Sequence, residues 1–211
     1  MDLKKLDAAV AFMRQNWHMI TDDESAYKPG VAERLAPVFK AAADGDPTWV
    51  DGLKKELRRY SQHIGWRVAG DLVRYASDYP GQVGRAVAAL ESPFEADLFW
   101  EIALTPIGGL ERVKDGYNEL RPPGARASVA SLVLFSRDPQ KYPVYRAQLS
   151  ARPLESLLGE KLDRRSTKHL LVSYYAALER VGRLLESAGL KVNSNLDVQG
   201  VAWVLNYHKI V

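Results

Sequence analysis

The longest helical pattern in the chain extends over residues 163–188, DRRSTKHLLVSYYAALERVGRLLESA. Apolar residues recur there at intervals of three and four, which is the period of one face of an α-helix. That face comprises Leu170, Leu171, Tyr174, Leu178, Val181, Leu184 and Leu185. Gly189 follows at the position where a left-handed residue commonly ends a helix. The stretch therefore predicts one long amphipathic helix whose apolar face other helices must cover.

Shorter segments on both sides show the same helical period. Residues 3–19 predict an amphipathic helix, and residues 127–135 form an apolar run with small side chains that favours close helix packing. Asp46 and Pro47 predict a helix start, with Asp as the cap and Pro at the first helical position. Lys28-Pro29-Gly30 predicts a turn. No alternation of apolar and polar residues typical of strands occurs between turn signals.

These patterns predict an all-α fold, a single helical domain of about nine to ten helices. Residues 108–124, which contain Gly108-Gly109 and Pro122-Pro123-Gly124, mark a sub-boundary if the domain consists of two packed halves. The 211 residues include no cysteine, which excludes disulfide frameworks, cysteine-ligated zinc and thiol nucleophiles. No apolar run approaches the roughly 20 residues of a membrane span. We therefore expect a cytoplasmic protein without a membrane partner.

Motifs for catalysis are missing from the sequence. There is no phosphate-binding loop of the G-x-x-x-x-G-K-[ST] type, and the four histidines are far apart and match no metal-ligand spacing. We expect neither enzyme activity, nor a cofactor, nor a metal. Four acidic residues cluster around the helix predicted to start at Ser92, namely Glu91, Glu95, Asp97 and Glu101. They predict either a solvated face or a docking site for a basic partner.

The charges are unevenly distributed along a chain of net charge +3. Residues 22–51 contain seven acidic and three basic residues, whereas residues 54–67 contain five basic residues and one acidic residue. The basic stretch predicts a helix, a short turn and a second helix, the outline of a helix-turn-helix. The candidate DNA contacts in it are Lys54, Lys55, Arg58, Arg59 and Arg67, with Tyr60 and Trp66 for stacking on bases. The alternative is that these cations cover a solvated face and Trp66 lies in the core.

Two further basic groups extend the candidate surface. Arg164, Arg165 and Lys168 open the long helix, where cations oppose the helix dipole and a bound phosphate would stabilise them. Arg146 ends a proline-stiffened loop whose tyrosines, Tyr142 or Tyr145, are candidates for base stacking. The alternatives are ion pairing or solvation of the first group and packing of the loop on the core.

Two stretches resemble the N-terminal regions of McrB-like restriction proteins. Residues 127–146, ASVASLVLFSRDPQKYPVYR, match an apolar helix that leads into the pattern D-P-x-x-Y-P-x-Y-R/K. Residues 196–205, LDVQGVAWVL, resemble a helix with a late Trp that precedes the motor in those proteins. The resemblance implies a DNA-recognition domain that works with an AAA+ GTPase motor on the same protein and a separate nuclease subunit.

The leading hypothesis is therefore the DNA-binding specificity domain of a McrBC-like anti-phage restriction system. In that role the chain would bind duplex DNA, modified or not, and deliver it to the motor. The rival hypothesis is a helical protein–protein interaction or regulatory domain without nucleic-acid binding, in which residues 22–51 and the acidic helix after Ser92 dock a partner.

Overall fold

The computed structural model describes residues 2–24, 26–59, 66–115 and 120–211. These residues form ten α-helices and no strand, which confirms the all-α prediction. The helices are α1 Leu3–Asn16, α2 Lys28–Ala43, α3 Trp49–Arg59, α4 Trp66–Asp78, α5 Pro80–Ala89, α6 Ala96–Ala103, α7 Pro123–Arg137, α8 Arg152–Leu158, α9 Thr167–Ser187 and α10 Asn195–Tyr207. Short 3₁₀ turns precede and follow α6, and π-helical turns at Met19–Glu24 and Ala147–Ala151 follow α1 and precede α8.

Helix α7 lies at the centre of the molecule. Every residue from 126 to 136 except Ser128 is buried, as expected for a helix surrounded by other helices. It packs against α2, α4, α6 and α9, while α3 packs on α2 and α4, and α8 and α10 pack on α9. One hydrophobic cluster includes buried residues from all ten of these helices, so residues on both sides of the 108–124 segment share one core.

The predicted long helix is α9, and its apolar residues are buried as expected. It begins at Thr167 because the hydroxyl of Ser166 accepts the N–H of His169 at 3.2 Å and so caps the helix. It ends before Gly189, whose φ of 83° is the left-handed conformation that the sequence predicted.

Several predicted helix boundaries are wrong. The long helix begins at Thr167 and not at residue 163, so Arg164 and Arg165 precede it, and the first helix ends at Asn16 and not at residue 19. Lys28-Pro29-Gly30 is the first turn of α2 and not a separate turn, because a proline near a helix start removes only an N–H that has no helical acceptor. Helix α3 begins at Trp49, two residues after the predicted start at Pro47. Asp46 still makes the hydrogen bond expected of a capping residue, since its carboxylate accepts the N–H and the hydroxyl of Thr48, both at 2.8 Å.

Among the described residues, the structure contains no helix that is both long enough and apolar enough to span a membrane.

Candidate nucleic-acid interface

Helix α3 presents a cationic face to solvent. Trp49, Val50, Leu53 and Leu57 are buried on one side of the helix, where it packs against α2 and α4. Because these apolar residues are buried on one side of the helix, the basic residues project from the opposite side. Lys55, Arg58 and Arg59 are exposed, and Lys54 is half-buried.

Carboxylates neutralise part of this face. Lys54 Nζ lies 3.3 Å from the carboxylate of Asp51. Arg59 Nη1 lies 3.7 Å from Oε2 of Glu56, and the guanidinium of Arg34 on α2 lies 3.7 Å from the same oxygen. In the described part of the chain, no carboxylate lies within 4.0 Å of Lys55 or Arg58. These two side chains therefore carry the uncompensated positive charge of α3.

The remaining predicted contacts near α3 are Tyr60, Trp66 and Arg67. Tyr60 and the side chains of Trp66 and Arg67 lie outside the described residues, although the backbone of α4 begins at Trp66.

A carboxylate already occupies the start of α9, where the sequence predicted a phosphate. Asp97 on α6 accepts the Ser166 hydroxyl at 2.6 Å through Oδ2 and the N–H of Lys168 at 2.9 Å through Oδ1. The negative charge stabilises the positive end of the helix dipole, which removes the reason for expecting a phosphate there. The Lys168 side chain is half-buried.

Both arginines before α9 are engaged in ion pairs. Arg164 Nη1 lies 2.6 Å from Oε1 of Glu155, and this hydrogen bond raises the pKa of Arg164. Arg165 forms an ion pair with Asp163. Its Nε lies 3.0 Å from both carboxylate oxygens, and its Nη2 lies 2.6 Å from Oδ2. The Arg165 hydrogen bonds lower the pKa of Asp163 to about 2. Neither arginine therefore presents an uncompensated charge to a polyanion.

The two tyrosines of the loop after α7, Tyr142 and Tyr145, pack against other side chains of the protein. Tyr145 is buried and its ring packs edge-on against Tyr174, with 5.1 Å between centroids, as the alternative of a loop packed on the core expects, so it is not exposed for stacking on bases. Tyr142 is half-buried and packs edge-on against Tyr175 at 5.3 Å. Arg146 is half-buried. The loop is thus a packed structural element.

The two stretches that carry the family resemblance meet in space. Gln199 Nε2 on α10 donates to the carbonyl of Val144 at 2.6 Å and to the hydroxyl of Tyr174 at 2.8 Å. The side chain of Asn195 donates to the carbonyl of Lys141 at 2.9 Å. These hydrogen bonds fix the loop after α7 to α10.

The predicted basic groups do not share one helix face. Helix α3 packs on α2 and α4, whereas the start of α9 contacts α6 and the turn before it, with α7 packed between α2 and α9. The α3 face is therefore a separate surface from the Arg164–Lys168 segment.

Two features of the surface lie outside the predicted DNA contacts. The first is a cleft that combines Lys5 at the start of α1 with Arg152 and Lys161 from α8 and the residues after it. The second is the pair Phe94 and Leu98, which are 66% and 45% exposed next to the acidic residues of α6. The apolar residues on an acidic helix were visible in the sequence, but no local pattern signals the cleft.

Comparison with known proteins adds no relative: no family model matches the chain, and neither a curated protein nor a solved structure matches it.

Proposed function

We propose that the chain binds duplex DNA through the cationic face of α3, defined as Lys54, Lys55, Arg58 and Arg59. The observation that carries the proposal is the exposure of Lys55 and Arg58 without a carboxylate partner in the described residues. The four cations span about 7.5 Å of helix axis, enough to face about two phosphates of one strand. Because phosphate contacts are independent of base identity, this face supplies affinity and not sequence specificity.

The biological role that we propose for this binding is DNA recognition in a McrBC-like restriction system. The resemblance of residues 127–146 and 196–205 to McrB-like regions supports it. In that role the chain is a non-catalytic, cytoplasmic module that delivers DNA to a GTPase motor and a nuclease subunit. Arg164, Arg165 and Arg146 are not needed for the proposal, which rests on α3.

The test is the affinity for a fluorescent duplex at several salt concentrations, measured by anisotropy. We expect the double substitution Lys55→Glu and Arg58→Glu to weaken binding at least about tenfold, because it replaces attraction to phosphates by repulsion. The neutral pair Lys55→Gln and Arg58→Gln should reduce the slope of log affinity against log salt by about 1.8.

The matched control is Arg183→Glu with Lys191→Glu. Both residues are exposed, and within the described ranges no carboxylate lies within 4.0 Å of either. The control changes the net charge by the same amount and should retain most of the affinity. Equal losses in both double variants, or no binding of the unmodified protein to any duplex at low salt, would refute the proposal.

A protein-docking role is the second candidate, favoured by the exposed face of α6. Phe94 lies in the 3₁₀ turn Pro93–Glu95 directly before α6, Leu98 lies in the first turn of α6, and both side chains are exposed. Glu91 and Glu101 are exposed beside them, and no cation of the described residues lies within 4.0 Å of either. Apolar anchors flanked by negative charge fit an amphipathic partner helix with lysine or arginine around its apolar residues.

The docking face can be tested with a synthetic amphipathic Leu/Lys helical peptide, with a Leu/Glu peptide as the charge control. We expect the Leu/Lys peptide alone to bind, and Phe94→Ser with Leu98→Ser to weaken it at least about tenfold by removing the apolar anchors. Leu110→Ser is the matched control, since Leu110 is also 45% exposed. Equal binding of both peptides, or equal effects of Leu98→Ser and Leu110→Ser, would argue against this role.

A further inference from the structure

We propose that a second site, separate from α3, binds a small phosphate-bearing ligand in a cleft between the start of α1, α8 and the end of α10. The cleft has a volume of about 460 Å³. This is within the range of small-molecule sites and larger than a bare phosphate requires. Its polar lining comprises Asp2, Lys5, Arg152, Glu155, Ser156, Lys161 and Asn206.

Both carboxylates of the cleft are already occupied by groups of the protein. Asp2 caps α1 by accepting the N–H of Lys5 at 3.2 Å. Its other oxygen lies 3.5 Å from Lys5 Nζ. Glu155 accepts the N–H of Leu162 at 2.9 Å and lies 2.6 Å from Arg164 Nη1. These contacts satisfy the carboxylates without using the guanidinium of Arg152.

The cations of the cleft exceed its carboxylates. Lys5, Arg152 and Lys161 line it together with Asp2 and Glu155, and Arg164, which is not part of the lining, also pairs with Glu155. Arg152 is exposed, and no carboxylate lies within 4.0 Å of it in the described part of the chain. Lys161 Nζ lies 3.5 Å from Oε2 of Glu155, but the Lys161 side chain is 82% exposed, so this ion pair is open to solvent and its ammonium remains accessible to a ligand.

The donor set matches a phosphate group. A guanidinium binds two phosphate oxygens through its planar fork, and an ammonium adds a point charge. Lys5 Nζ is held 2.8 Å from the Ser156 hydroxyl, so it is fixed at the wall of the cleft. Asn206 offers an amide for the remainder of the ligand. The phosphate comes either from a small molecule, up to the size of a mononucleotide, or from a nucleic-acid backbone.

Isothermal titration calorimetry with adenosine 5′-monophosphate, adenosine and inorganic phosphate tests the site. We expect the two phosphate compounds to bind and adenosine not to bind. The double substitution Arg152→Gln and Lys161→Gln should weaken the monophosphate at least about tenfold, because each substitution removes a charged donor to the phosphate. Arg183→Gln with Lys191→Gln is the matched control and should leave the affinity unchanged.

Two further arms separate this site from the α3 face and identify the source of the phosphate. The Lys55→Glu and Arg58→Glu variant should bind the monophosphate as the unmodified protein does, whatever its affinity for DNA. Displacement of the monophosphate by duplex DNA would assign the phosphate to a nucleic-acid backbone, and the absence of displacement would assign it to a small molecule. Both outcomes support a phosphate site. Binding that Arg152→Gln and Lys161→Gln do not weaken, or no binding of either phosphate compound, would overturn it.

Discussion

Gly84→Ala should lower the free energy of unfolding by about 3 kcal/mol, near the upper end of ordinary overpacking effects. A Cβ atom at position 84 would lie 2.4 Å from the carbonyl oxygen of Ala42, so α5 rests on the backbone of α2 at this point. The oxygen belongs to backbone and cannot rotate away as a flexible side chain would. Helix α2 also packs against α3 and α7, so it cannot move without loosening other parts of the core.

Urea denaturation followed by circular dichroism measures this loss, and Gly81→Ala in the same helix is the control. Among the described residues, nothing lies within 4 Å of a Cβ atom at position 81. There the substitution should be neutral or stabilising by about 0.5–1 kcal/mol, because alanine favours the helix over the unfolded chain. A similar loss in both variants would show that close approach to α2 is not the reason for glycine at position 84.

Local patterns were sufficient for the elements whose determinants are local. The stripe from Leu170 to Leu185 and the terminal Gly189 predicted α9 because helical period and left-handed termination depend on neighbouring residues. The start of α2 was not predictable in this way. Pro29-Gly30 is equally typical of a turn and of a first helical turn. The burial of Val31 and Ala32, which depends on distant packing partners, favours the helix.

The candidate site, too, was only partly predictable from local sequence patterns. The sequence placed the cations of α3 on one face, and Lys55 and Arg58 are exposed there. It gave no indication that Arg34 on α2 lies near Glu56, or that Asp97 on α6 caps α9. A helical period reports which residues share a face, but not which carboxylate of another element lies opposite. Carboxylates close in sequence neutralise three of the predicted cations, namely Asp51 for Lys54, Glu56 for Arg59 and Asp163 for Arg165. Contacts between distant segments add Arg34 at Glu56 and Asp97 at the start of α9.

The second large effect is expected at Glu155, which is buried among charged partners. Its side chain is 3% exposed and lies 2.6 Å from Arg164 Nη1. It also accepts the buried N–H of Leu162 at 2.9 Å. Glu155→Ala leaves this N–H without its acceptor, leaves Arg164 without its counter-charge and opens a cavity. We expect a loss of about 3 kcal/mol at neutral pH, below the maximum for buried pairs because Arg164 is partly exposed to water.

Urea denaturation again provides the measurement, with Glu160→Ala as the control. Glu160 pairs with Arg180, but its side chain is 52% exposed, so its removal should cost less than about 1 kcal/mol. Equal losses in the two variants would contradict the assignment of Glu155 as a buried anchor.

The loss caused by Glu155→Ala should also depend on pH. Burial raises the pKa of Glu155, but the hydrogen bonds from Arg164 and the Leu162 N–H and the charge of Lys161 outweigh it, so the pKa lies below its usual value of 4.5. A carboxylate with a lowered pKa in the folded state contributes stability above its unfolded pKa and loses that contribution as the pH falls through the folded pKa. The difference in unfolding free energy between the unmodified protein and Glu155→Ala should therefore be largest near neutral pH and shrink below pH 4.5. A difference that stays constant across this range would mean that the missing N–H acceptor and the cavity account for the loss, and that the ionised carboxylate contributes nothing to it.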